Sequence, residues 1–262
     1  MEAFWSGWWW PLATAVLGFV FTGLIFAQWL RRRKPHQLAW SVGMLFYAVA
    51  AVMESVSEAT GTWYPLEYRI YIVLAASLVG FLGLGSYYLI AKKKTGPHIY
   101  LGMLVGWLLV FFYGTMTVEL QTDLLKAMPG IVVGGQALGD PLSFPRVMSL
   151  PFNITGSFFL LGGALLSVWR FARKREFAYR MWANVLIALG TLIIAAMGSM
   201  ARAGNTNGLY VGEMVASAVL LAGFLMAGTL DKGAKAAVEH RRHHDEHVSA
   251  VHAAEIMAPP DA

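Results

Sequence analysis

The sequence predicts an all-α integral membrane protein of seven transmembrane helices, and three observations carry that prediction. Hydrophobic residues make up 57% of the 262 residues and charged residues only 13%, about half the ~25% with which a soluble domain covers its surface. Stretches of about 20 residues nearly free of charge recur along the chain, each long enough to cross ~30 Å of hydrocarbon. The basic residues gather in short clusters after alternate stretches, as cytoplasmic loops require.

The expected spans are 9–30, 37–58, 68–91, 98–119, 150–170, 179–202 and 209–230. Span one enters at Pro11, where the first amides of a helix lack partners anyway. The segment before it, MEAFWSGWWW, has Glu2 where a signal peptide would carry basic residues. It reads as a translocated end whose Trp5, Trp8, Trp9 and Trp10 lie in the membrane interface. Span four is rich in aromatics: Trp107, Phe111, Phe112 and Tyr113. The longest connection, 120–149, contains MPGIVVGGQALGDPLSFP, whose glycines and prolines argue against a continuous helix. A short two-stranded flap or a membrane-skimming loop both fit, as do a functional lid and an ordinary long loop. Residues 1–231 form the membrane domain, and 232–262 a polar, histidine-rich tail.

Charge sets the orientation. Sixteen of the 20 Lys and Arg residues fall on one side, in RRRK after span one, KKK after span three, RFARKR after span five, Arg180 and the tail. Only Arg69, Lys126, Arg146 and Arg202 fall on the other. The N-terminus is therefore expected outside and the C-terminus in the cytoplasm, in a plasma or inner membrane. The net charge of +5 sits in these loops and is no nucleic-acid signature; the lipid bilayer is the expected partner.

The chain also repeats itself weakly. A shift of 140 aligns Pro11 with Pro151, Phe19 with Phe159, Gly23 with Gly163 and Trp29 with Trp169. With three residues of drift, GFLGLGS at Gly80–Ser86 aligns with GFLMAGT at Gly223–Thr229. A parallel 3+1+3 duplication follows, with halves at 9–91 and 150–230 and a linker helix at 98–119. Ligand sites in such proteins lie near the interface of the halves. This layout is similar to that of SWEET-type sugar transporters and microbial rhodopsins, in architecture alone. Spans two and six contain no proline, on which the SWEET pattern relies, and the last span has no lysine to hold retinal.

The corner at 50–75, AVMESVSEATGTWYPLEYRIYIVLAA, concentrates ionisable groups. Counting ~1.5 Å per residue from Leu38 places Glu54 deep in the outer part of span two, with Glu58 one turn higher on the same face. Arg69 opens span three, Arg202 closes span six, and Glu213 sits a turn into span seven. These five residues, Glu54, Glu58, Arg69, Arg202 and Glu213, are the candidate ligand-binding set in a polar outer vestibule. Ionisable groups in apolar spans mark either a site or an internal ion pair. Both readings expect Glu54 to face the bundle within reach of Arg69 or Arg202, with Glu213 closing the layer. Gly83 and Gly85 against Gly162 and Gly163 are expected to let helices pack closely. Asn153, Thr155 and Asn184 read as interhelical hydrogen-bond partners.

Enzyme chemistry is not expected. The chain has no cysteine, and His36 and His98 only flank spans, so thiol, zinc and paired-histidine haem chemistry are excluded from the membrane interior. No cofactor or metal is expected there. The tail histidines 240, 243, 244 and 247 have helical spacing suited to metal chelation but read better as surface residues. Two functions remain: binding or transport of a small cation or polar solute through an outward-facing vestibule, or a seven-helix sensory input module signalling to a cytoplasmic partner.

Overall fold

The structure is a computed structural model that describes residues 7–126, 135–172, 178–202 and 208–226. The helices are α1 (Trp9–Arg32), α2 (Pro35–Thr60), α3 (Pro65–Ile90), α4 (Thr95–Thr117), α5 (Phe144–Met148), α6 (Leu150–Ala172), α7 (Ala178–Arg202) and α8 (Leu209–Met226). Six helical segments are long and apolar enough to cross a membrane: α1 to α4, Phe144–Leu166 over α5 and α6, and α8. The chain is accordingly an all-α, multi-pass membrane protein. In α7 the apolar stretch is Val185–Ile194, within a helix of 25 residues. The tail beyond Met226, with its histidines, lies outside the described residues.

Local chemistry explains the ends. Pro35 and Pro65 occupy the first turns of α2 and α3, where a missing N–H costs nothing. Gly61 closes α2 at φ 70°, a left-handed conformation that glycine adopts without a Cβ penalty, and its N–H bonds to Ser57 O. Because the helices alternate in direction, the corner at 61–64 lies at the opposite end of the bundle from the basic turns at 31–34 and 91–94.

α3 is the centre of the bundle, packed between α2, α4 and α6. Its crossing with α6 brings backbone against backbone. A Cβ on Gly83 would lie 2.5 Å from Gly156 Cα, and one on Gly156 would run into the carbonyl of Val79. The close approach expected of Gly83 is therefore met by Gly156. Gly162, named as a partner from sequence, has nothing within 4 Å of its Cβ position, because it points away from α3. Gly85 lies instead under the indole of Trp40, and a Cβ on Gly163 would stand 3.4 Å from Ser86 Cβ. Gly190 and Gly223 bring α7 and α8 together by the same means, against Ala216 O and Ala183 O. Thr155 does act between helices, its hydroxyl 2.6 Å from that of Tyr100 on α4. The side chain of Asn184 lies outside the described residues.

α4 leans on α3 and presents Ile99, Met103, Leu109 and Tyr113 outward. α1 does the same with Val16, Phe19, Val20 and Leu24. Contiguous apolar surface of this extent is untenable in water and normal against lipid.

The 120–149 connection forms a packed cap over the α2–α3 corner. Its described residues form 3₁₀ turns at Thr122–Leu125 and Gln136–Leu138 and the short α5, not a strand pair; residues 127–134 lie outside the description. Leu120, Leu125, Ala137 and Leu138 are buried with Trp63 and Tyr68. Trp63 N–H donates to Leu125 O at 2.9 Å, and Gln121 N–H to Ala137 O at 2.9 Å. The connection is thus tied to the corner by both apolar burial and backbone bonds.

Candidate functional site

Beneath the cap, α2, α3, α6, α7 and α8 surround a cavity of about 450 Å³. The room comes from small residues: Ala50 and Ala51 on α2 face Ala75 and Ala76 on α3. The polar wall is formed by Glu54, Glu213, Tyr47 and Tyr71, with Asn153 from α6 and Arg146 from the cap completing it.

Glu54 is 4% exposed and faces the bundle, as its depth on α2 implied. The Tyr71 hydroxyl donates to its Oε1 at 2.6 Å. Glu213 from α8 lines the same cavity beside Glu54, so α8 closes the layer. Below the pair, Tyr47 donates to the Glu213 carbonyl at 3.0 Å and accepts from Ser217 at 3.0 Å. Glu58, one turn above Glu54, takes a bond from the Tyr210 hydroxyl at 2.7 Å. The carboxyls of Glu54 and Glu58 are thereby each held by a tyrosine, and Tyr47 holds the main chain at Glu213.

Arg69 behaves differently from expectation. Arg69 donates one guanidinium nitrogen to Thr115 O and the other to Val118 O at 2.8 Å. It neutralises the free carbonyls at the end of α4, where the helix dipole favours a cation, and the place expected of it at Glu54 is taken by Tyr71 instead. Residue depth was right, but the direction around the α3 axis turns Arg69 to the opposite side. The Arg202 side chain lies outside the described residues. The structure thus brings Glu54 and Glu213 together on the cavity, sets Glu58 just above them, and places Arg69 elsewhere. Replacing Arg69 with Gln is expected to cost about 1–3 kcal/mol of stability through lost charge-assisted bonds and to leave cavity binding unchanged. Thermal melts with and without ligand check this; a loss of binding at full stability would return Arg69 to the site.

The tyrosines and Arg146 were not singled out from sequence. Tyr71 and Tyr210 sit near helix ends, where tyrosine is ordinary interfacial furniture of membrane helices. The one available signal was spacing: Tyr210 precedes Glu213 by three residues, one turn on the same face. Asn153 bonds locally to Ser149 O at 2.9 Å while facing the cavity, rather than bridging helices. Among the described residues no group of three His, Asp or Glu side chains is placed to hold a metal ion.

No protein-family model, no curated protein and no solved structure matches this chain. The fold and site define a class, a multi-pass helical membrane protein with a carboxyl-lined cavity, and the reading of function rests on that geometry.

Proposed function

We propose that this chain binds a small cation or polar solute in the cavity between its two halves, through Glu54 and Glu213, from the outer side of a plasma or inner membrane. The observation that carries the reading is a cavity of about 450 Å³ whose polar wall is a carboxyl pair contributed by α2 and α8. Cavities of this size with few, convergent polar groups are the usual form of small-molecule sites. Glu58 supports the pair from above through Tyr210, and Arg69 acts outside the wall. The bilayer is the partner, and the chemistry is binding rather than catalysis, with no cofactor invoked.

The seven-span, parallel 3+1+3 arrangement supports this reading. α7 has the length of a span, ~37 Å at 1.5 Å per residue. Under the duplication α1 corresponds to α6 and α3 to α8. The α3–α6 crossing then has a counterpart in α1 against α8, where Phe21 and Phe224 pack at 5.0 Å between ring centroids. Glu54 and Glu213 come from different halves, which is where duplicated transporters place their sites. Orientation follows the charge split: a reporter active only in the cytoplasm should work when fused at the C-terminus and fail in the 120–149 connection. The reverse pattern overturns the topology.

The sensory reading draws on a separate observation. Below the cavity, Met44, Leu160 and Leu220 pack in one buried cluster with Tyr47, Leu78 and Val79 of its lining, on the side toward the basic end. Transport requires that cluster to open, whereas a receptor does not. Flux into proteoliposomes separates the two.

The test of binding is a thermal-shift screen of ammonium ions, amino acids and sugars in detergent, on wild type beside Glu54→Gln. Wild type is expected to gain several degrees with its ligand, and Glu54→Gln to keep its basal melting temperature within a few degrees and lose the gain. A variant that is strongly destabilised, with no compound shifting wild type, would make the carboxyl layer purely structural.

A further inference from the structure

The Glu54–Glu213 pair specifies more than a polar wall. Two carboxyls, from α2 and α8, line one cavity whose other walls are largely apolar, and neighbouring buried carboxyls hold one proton between them more readily than two negative charges. The groups facing the pair are Tyr47 and Glu58 from α2, Tyr71 from α3, Tyr210 from α8 and Arg146 from the cap. α6 and α7 add only neutral groups to the described wall, Asn153, Ser157 and Ile194. Arg146 is held on Gly139 O at 3.0 Å, within the cap. Loss of the shared proton would leave two carboxylates in one wall, and a single positive charge seated between them would restore the charge the proton carried.

The rest of the cavity selects the cation. Its described walls carry the rings of Tyr47, Tyr71 and Phe111, and the alanines of α2 and α3. Aromatic faces attract a positive charge, most strongly when it is desolvated, and apolar walls favour a cation with an apolar body. A bare Ca²⁺ or Mg²⁺ ion takes six or more oxygen ligands, and among the described residues no group of three His, Asp or Glu side chains is placed to hold a metal ion.

We propose that the cavity is a proton-exchange site: a monovalent organic cation of the alkylammonium class enters, and the proton shared by Glu54 and Glu213 leaves to water. No covalent bond is made or broken beyond that proton transfer, and charge balances one for one. The inference rests on the binding reading above and narrows its ligand to a cation coupled to a proton.

The test is calorimetric titration of the full chain in detergent with tetraethylammonium chloride, at constant ionic strength in NaCl. Paired buffers of different ionisation enthalpy give the proton count. The expected result is about one proton released per cation, with affinity rising ~tenfold per pH unit wherever the pair still holds its proton. The double change Glu54→Gln with Glu213→Gln keeps a donor and an acceptor at each position and so preserves the hydrogen bonding. It should abolish proton release and weaken binding at least ~tenfold, a loss of about 1.4 kcal/mol. Arg146→Gln, which removes the positive charge facing the cavity, should strengthen binding a few-fold. If the double variant does not yield a single species, the wild-type proton count decides alone. Binding with no pH dependence, binding unchanged in the double variant, or no binding of tetraethylammonium at any pH overturns the exchange. If a neutral solute nonetheless stabilises wild type and not Glu54→Gln, only the exchange falls. If no compound does, the binding reading falls with it.

Discussion

Gly156→Leu is expected to yield no folded, monodisperse protein in detergent. The α3 and α6 backbones touch at this point: a Cβ on Gly156 would collide with Val79 O and come within 2.8 Å of Gly80 N. Neither obstacle is a side chain that can swing aside, so the helices themselves must separate. That separation would also undo the contacts beside it, including Phe152 against Phe111 at 5.8 Å between centroids, both fully buried. Overpacking a core costs about 1–3 kcal/mol when side chains can adjust. Here backbone must move, so even Gly156→Ala should reach the upper end of that range, and leucine should exceed it. Gly162→Leu is the control, since nothing stands within 4 Å of its Cβ position, and a change of no more than ~0.5 kcal/mol is expected there. Melting temperatures of the three variants check the ordering. A Gly156→Leu protein that melts with wild type would mean that α3 and α6 do not cross here.

The same crossing shows what a sequence can and cannot disclose. Helix positions were legible because hydropathy responds to the length of an apolar run, which the bilayer fixes. The expected span at 37–58 and the observed Pro35–Thr60 differ only at the frayed ends. Depth was legible too, since rise per residue is constant: Glu54 and Glu213 were placed in one layer and line one cavity there. Rotation about the helix axis was not. An alternative of a few residues along α6, Gly156 for Gly162, changes which face meets α3, and α3 is apolar on all sides with Arg69 near its start. Nothing local tells Arg69 to turn toward α4. Its partners, the carbonyls of Thr115 and Val118, lie 46 and 49 residues further on. The cap was illegible for the same reason, being held by Trp63 bonding Leu125 across the chain. The tyrosines were hidden by chemistry rather than geometry, because a phenol at a membrane interface needs no special explanation.

Trp63→Ala is expected to cost about 3–5 kcal/mol, the usual range for emptying a buried aromatic site, and to disturb the cavity from a distance. Trp63 is 3% exposed and lies between two tyrosines of α3, 5.8 Å from Tyr68 and 4.6 Å from Tyr71 between ring centroids. The first contact belongs to the buried cluster that seats Leu125 and Leu138 of the cap, whereas the backbone N–H bond from Trp63 to Leu125 O survives the change. The second holds the ring whose hydroxyl reaches Glu54 at 2.6 Å. Removing the indole therefore loosens both the roof of the cavity and one donor in its wall. Tyr71→Phe isolates the second effect: it should lose about 1–2 kcal/mol, the worth of one hydrogen bond to a carboxyl group, and stay folded. Trp63→Phe keeps an apolar ring in place and should retain most of the stability. Melts of all three, each with and without tetraethylammonium, separate scaffold from site. If both Trp63→Ala and Tyr71→Phe lose the cation-dependent shift, the corner transmits its packing to Glu54 through the Tyr71 ring. A shift that survives in Trp63→Ala despite the lost stability would reduce the corner to a structural tie, with the carboxyl pair held by α2 and α8 alone.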